Sequence, residues 1–124
     1  MSGLLDWLGR IGRLLSPESY EAEPVVTVLD EWRAEFAWRG PALTVDRRRE
    51  AVIRGGRVLA ALAQIRSVDV VYVRANDDDR ESWRVCLGLG FFSGEALGTT
   101  AIDVEASIAA ARLATLLDVP VRSL

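Results

Sequence analysis

The side chains able to do chemistry here are carboxylates, arginines and one thiol. All fifteen basic residues of the 124-residue chain are arginine; lysine and histidine are absent, and Cys86 is the lone cysteine. Without histidine there is no Ser-His-Asp or Cys-His pair, and the usual base for neutral pH is missing. Without lysine there is neither a Schiff-base amine nor the lysine of a phosphate-binding loop. A zinc site needs clustered cysteine or histidine, which one cysteine does not supply. Acid–base work would fall to Asp and Glu, and arginine could only clamp anions. The expectation is a protein with no catalytic residues, no cofactor and no metal.

Each local pattern that hints at a site has a plainer reading. Gly88-x-Gly90-x-x-Ser93-Gly94 has dinucleotide-like glycine spacing, but it opens no helix and lacks a βαβ frame. Asn76 to Asp79 offers oxygen ligands without the glycine and terminal glutamate of an EF-hand loop, so a solvated hairpin tip is expected. Arg47, Arg48 and Arg49 form the candidate anion-binding cluster. Residues 39–57 hold six arginines against Asp46 and Glu50, a local balance of +4 in a chain of net charge −3. The competing reading is a solvated turn. Glu35, Asp69 and Glu95 show no pairing in sequence. The overall charge excludes a dedicated nucleic-acid binder, so Trp7, Trp32, Trp38 and Trp83 read as core or interface residues. Cys86, inside an apolar run, reads as a buried inert thiol.

These residues must be positioned by a small set of elements. Residues 4–15 place Leu4, Trp7, Leu8, Ile11, Leu14 and Leu15 at helical spacing, and Pro17 ends that helix. Residues 17–30 read as an acidic linker. From Val25, the residues Val28, Leu29, Trp32 and Phe36 fit a helix and Trp32, Ala34, Phe36 and Trp38 a strand; a strand is favoured over 31–38. After Gly40-Pro41 comes an antiparallel meander: ALTV, a turn at DRRRE, AVIR, and a reversal at Gly55-Gly56. In QIRSVDVVYVR, Ile65 fits one parity and Val68, Val70 and Tyr72 the other, which predicts a bulge near Arg66 to Asp69. Trp83, Val85, Leu87, Leu89 and Phe91 alternate as one face of a strand. Cys86, Gly88 and Gly90 form a small-residue stripe on the other.

The last element is a helix from an Asp103 N-cap to about Asp118. Its apolar face is Ala106, Ala109, Ala110, Leu113, Leu116 and Leu117; Val104, Ile108 and Ala111 form a second patch. On this reading Leu113→Ala is costly and Arg112→Ala is not.

From ALTVDRRREAVIRGG through QIRSVDVVYVR and WRVCLGLG to ASIAAARLATLLDVPV, residues 40–120 resemble bacterial pleckstrin-homology-like (PH-like) domains. The resemblance implies a bent antiparallel sheet or partly open barrel capped by the C-terminal helix. It also implies binding or scaffolding without catalytic residues. The expected organisation is therefore an α+β protein of about six antiparallel strands. It has an N-terminal amphipathic helix over 1–16, a linker over 17–30 and a PH-like domain over 31–124.

The expected function is a non-catalytic binding or assembly module, acting on a protein partner or a membrane surface. A small carboxylate/arginine enzyme and an apolar-ligand carrier remain the alternatives. Leu4, Trp7, Leu8, Ile11 and Leu15 are the candidate partner-binding residues. Three destinations compete for them: a lipid interface, the chain's own domain, or a second subunit in a homodimer. The domain offers the second helix patch and the Cys86-Gly88-Gly90 stripe. Two arginines against one aspartate in residues 1–16, followed by an acidic stretch, rank protein above lipid. No run approaches the roughly 20 apolar residues of a membrane span, and no signal peptide is expected. A cytoplasmic location follows, with peripheral membrane contact left open.

Overall fold

The computed structural model describes residues 22–76 and 80–124. The helix expected over 4–15, with its candidate partner-binding residues, lies outside the described residues, as does the tip at Asp77 to Asp79. What is described is an α+β fold of two sheets and one C-terminal helix.

The first sheet is a five-stranded antiparallel meander: β1 (Val25–Val28), β2 (Arg33–Ala37), β3 (Leu43–Asp46), β4 (Ala51–Arg54) and β5 (Arg57–Ala61), adjacent in chain order. Alternation dictates its faces. Val26, Ala34, Phe36, Leu43 and Val45 point inward, while Thr27, Arg33 and Val25 face out. Asp30 shapes the turn into β2, its Oδ1 accepting the backbone N–H groups of Trp32 and Arg33 at 2.8 Å each. Asp46 does the same for the next turn, accepting from Arg48 and Arg49 at 3.0 Å. Gly55 and Gly56 have φ of 58° and 75°, the left-handed pair that a two-residue hairpin turn requires. Both expected reversals are present.

The second sheet has the order β8-β7-β6-β9, from β6 (Ser67–Val73), β7 (Ser82–Gly88), β8 (Ser93–Thr100) and β9 (Val121–Ser123). Helix α1 (Asp103–Leu117) carries the chain from β8 across β6 and β7, so that β9 lands beside β6 in parallel. Among the described residues there are thus nine strands rather than six, one of them parallel, and no closed barrel. Three-residue β9 is too short to show alternation, and that hid it.

Other differences have local causes. β1 lies within the 17–30 stretch read as linker; Val25 to Val28 gave no parity because Val25 is an outward valine on an edge strand. No bulge interrupts β6, whose register with β7 is continuous. The parity slip instead marks a 3-10 turn over Leu62–Gln64 that ends at Ile65, before the strand starts. The register shifts fall between β7 and β8 and between β4 and β5. Phe91 continues the alternation of β7 only on paper: the strand stops at Gly88, and Phe91 stands in the turn to β8, fully exposed.

Along α1, Ala106, Ala109, Ala110, Leu113 and Leu116 are buried as expected. The N-cap is Ile102 rather than Asp103; its extended backbone directs its N–H to Thr100 Oγ1 at 3.1 Å. Arg112, expected to be dispensable, is 3% exposed. It reaches the carbonyl of Pro24 and pairs with Glu23 at 3.5 Å, tying the start of β1 to the helix. A buried cation stripped of a partner group is costly, so the expected ranking changes.

Leu113→Ala should cost about 2–5 kcal/mol, as for other buried leucines. Arg112→Ala should cost about 1–3 kcal/mol, since it strands a buried carbonyl. Urea melts of both, beside exposed Ser107→Ala, check this; an Arg112 variant as stable as wild type would detach β1 from the helix.

Candidate functional site

Among the described residues two carboxylates are fully buried, and both are engaged. Asp69, on β6, receives Ser67 Oγ at 2.6 Å, Ser93 Oγ on its other oxygen, and the Arg122 fork at 3.1 and 2.8 Å. Burial pushes this carboxyl up, but hydrogen bonds from Arg122, Ser67 and Ser93 and the charge of Arg122 outweigh it. It ends below its ordinary value of 3.8. Room for the cluster comes from Gly88 of β7: a Cβ there would stand 2.0 Å from Ser67 Oγ and 2.7 Å from Asp69 Oδ1. The Cys86-Gly88-Gly90 stripe is therefore not a docking face, because Gly88 clears space for the chain's own buried ion pair. Cys86 beside it is buried, and burial followed by the charge of Asp69 pushes its thiol up, away from reactivity.

Glu105, in the first turn of α1, is the second. It accepts the Trp38 indole N–H at 2.8 Å and both arms of the Arg39 fork, one at 3.0 Å. Two carboxylates held this way orient the elements they join. Among the described residues no three Cys, Asp or Glu side chains gather as a metal ion would need.

The arginine cluster is divided in its uses. Arg47 donates to the carbonyl of Leu116 at 2.9 Å, satisfying the C-terminal end of α1. Arg48 lies over the Trp32 ring, 5.3 Å from its centroid. Arg49 is exposed, its backbone N–H bound by Asp46. Arg54 reaches the carbonyls of Pro41 and Leu97 at 3.1 and 2.9 Å, and Arg57 pairs with Glu95 at 2.8 Å. The structure thus places Arg47, Arg48 and Arg49 on one turn but points the heads of Arg47 and Arg48 at different partners.

What the sequence did not reveal is a slot between the two sheets. β5 ends the first sheet and β8 ends the second, so each has one edge without a ladder partner. Between these edges lies a cavity of about 260 Å³. Its apolar lining is Val58, Leu59, Leu87, Leu89 and Leu97, and the Arg57–Glu95 pair stands at its rim. The β7–β8 turn beside it holds Phe91 and Phe92, 106% and 62% exposed. Neighbouring large apolar side chains in water are the kind of feature that marks interaction surfaces. The bare apolar run GLGFF was the only trace of this in sequence.

No family model, curated protein or solved structure matches the chain. Among the described residues no helix is long and apolar enough to cross a membrane.

Two outcomes follow. The Asp69 carboxyl titrates lower in the folded chain than its ordinary 3.8, so its stabilisation is full above that value and is lost as pH falls through the folded one. Arg122→Ala should then be about 1–3 kcal/mol less stable than wild type at pH 7, with the gap closing below 3.8; urea melts across pH test it, and a pH-independent gap would contradict the ion pair. Arg47→Gln should lower the melting midpoint while Arg49→Gln leaves it in place; equal effects would return the whole cluster to a solvated turn.

Proposed function

We propose that the protein is a non-catalytic binding or assembly module of PH-like type, whose unclosed side takes an extended apolar segment of a protein partner. The observation that carries this is the slot itself: two strand edges without a ladder partner flank an apolar floor. An extended peptide can add to such an edge through main-chain hydrogen bonds while its alternate side chains enter the floor. Phe91 and Phe92 would close over it. Burying one phenylalanine contributes about 1.5–3 kcal/mol.

Other readings find less support. A carrier of small apolar molecules usually has a pocket of about 300–1,000 Å³ that encloses its ligand, and this slot is smaller and open-sided. Enzymatic chemistry would need a shielded carboxylate free to trade protons, whereas Asp69 and Glu105 are each locked by arginine. Anionic surfaces would need the heads of Arg47 to Arg49 together, and Arg47 is engaged at the helix end. The buried free thiol of Cys86 suits a reducing, cytoplasmic setting.

A displayed library of random heptapeptides, selected against the full chain, tests the proposal. Selected peptides should be apolar and β-forming, and should shift the amide resonances of Val58 to Ala60 and Gly94 to Leu97. Val58→Asp with Phe92→Ser should weaken them at least about tenfold, a loss of 1.4 kcal/mol. Peptides whose shifts gather on Arg47 to Arg49, or whose affinity ignores both substitutions, would overturn the slot as the binding site.

A further inference from the structure

Helix α1 carries a stripe that the two sheets do not cover. Val104, Ile108, Ala111 and Thr115 recur at i, i+4, i+7 and i+11, which is one face of a helix. Val104 is 47% exposed, and Ile108 and Ala111 are half-buried. Thr115 adds little polarity to the stripe, because its hydroxyl donates to the Ala111 carbonyl at 2.9 Å. Towards β9 the stripe runs into an open groove of about 660 Å³, which Val119 and Val121 continue.

The described chain begins at the flank of this stripe. Arg112, one turn beyond Ile108, holds the Pro24 carbonyl and Glu23, and Ala22 packs against the core. Everything before residue 22 therefore starts from a fixed point beside the exposed face. Residues 4–15, read in sequence as an amphipathic helix, would be about 18 Å long at 1.5 Å per residue. Val104 to Thr115 spans eleven such rises, about 16–17 Å. The six residues between, 16–21, reach up to about 20 Å when extended, enough to fold the segment back along α1.

We propose that residues 4–15 pack on the outer stripe of α1 within the same chain, with Trp7, Leu8 and Ile11 covering Val104, Ile108 and Ala111. A short tether holds the segment at an effective concentration in the millimolar range, which favours this site over the same site on a second copy. The acidic residues Glu18, Glu21 and Glu23 in and beside the tether oppose an anionic lipid surface. This inference stands independently of the slot.

Amide hydrogen exchange on the full chain decides it. In wild type the amides of residues 4–15 should exchange at least about 100-fold more slowly than in an open chain, equally at two concentrations tenfold apart. Ile108→Asp with Ala111→Asp should release them to open-chain rates while β6 and β7 stay protected. A milder pair, Val104→Ala with Ile108→Ala, should speed their exchange at least about tenfold and serves where aspartates unsettle the sheet. Four results would overturn the proposal. They are open-chain rates in wild type, protection indifferent to both pairs, protection that grows with protein concentration, and protection that appears only with phosphatidylglycerol vesicles. The third would assign the stripe to a second copy, and the fourth would assign the segment to lipid.

Discussion

No hydrogen-bonded ladder joins the two sheets, so the structure depends on how α1 is fastened across them. Its apolar face lies on β6, β7 and β8, and the shared core draws on both sheets. Apolar contact alone is non-directional and would let a helix lined with alanine slide. Directional ties to the first sheet prevent this at three heights along the helix. Glu105 near its start holds Trp38 and Arg39, Arg112 beyond its middle holds Pro24, and the Leu116 carbonyl in its last turn receives Arg47. Burying charge costs several kcal/mol per ion before pairing. Such ties therefore specify the position of the helix better than they add net stability.

The same trade explains the exclusive use of arginine at these places. Arg39 and Arg122 each meet a buried carboxylate with two nitrogens, and the fork fixes orientation as well as distance. Lysine, a point charge, would leave Glu105 and Asp69 free to rotate among partners. Trp38 completes the arrangement: its ring lies so close to Gly98 that a Cβ there would stand 2.5 Å away, which aims its indole N–H at Glu105. At these two buried carboxylates the choice of arginine is accounted for by architecture.

How far the fold was legible follows from the range of the forces involved. Alternation and turn chemistry act within a few residues, and they carried the meander from Leu43 to Ala61, the faces of β2 and β7, and the helix with its inner face. Partners far apart in sequence left no local mark. Arg112 meets Pro24 across 88 residues and Arg39 meets Glu105 across 66, and nothing around Arg112 distinguishes it from a solvated arginine. The Asp69 cluster was half visible: Gly88 was read within a small-residue stripe that a segment could cover, but the groups beside it are Ser67 and Asp69 rather than an incoming element. Phe91 misled for the opposite reason, since its parity is right and only the end of the ladder at Gly88 puts it in water.

Because the buried charges are consumed internally, the binding proposed for the slot would rest mainly on shape and apolar area. The surface ions nearest the slot, Arg57 and Glu95, already neutralise each other at 2.8 Å and give little long-range steering. A partner would be held by backbone edges and by Phe91, Phe92 and the leucine floor, interactions that salt screens weakly. The slot exists because β8 departs from regular pairing with β7 around Leu97, whose carbonyl turns to Arg54 at 2.9 Å. That single bond draws the edge of β8 towards the β4–β5 turn without zipping it to β5. A ladder closed there would have merged the two sheets and left β5 and β8 no edge to offer; the bulge and Arg54 hold the two sheets adjacent and unjoined.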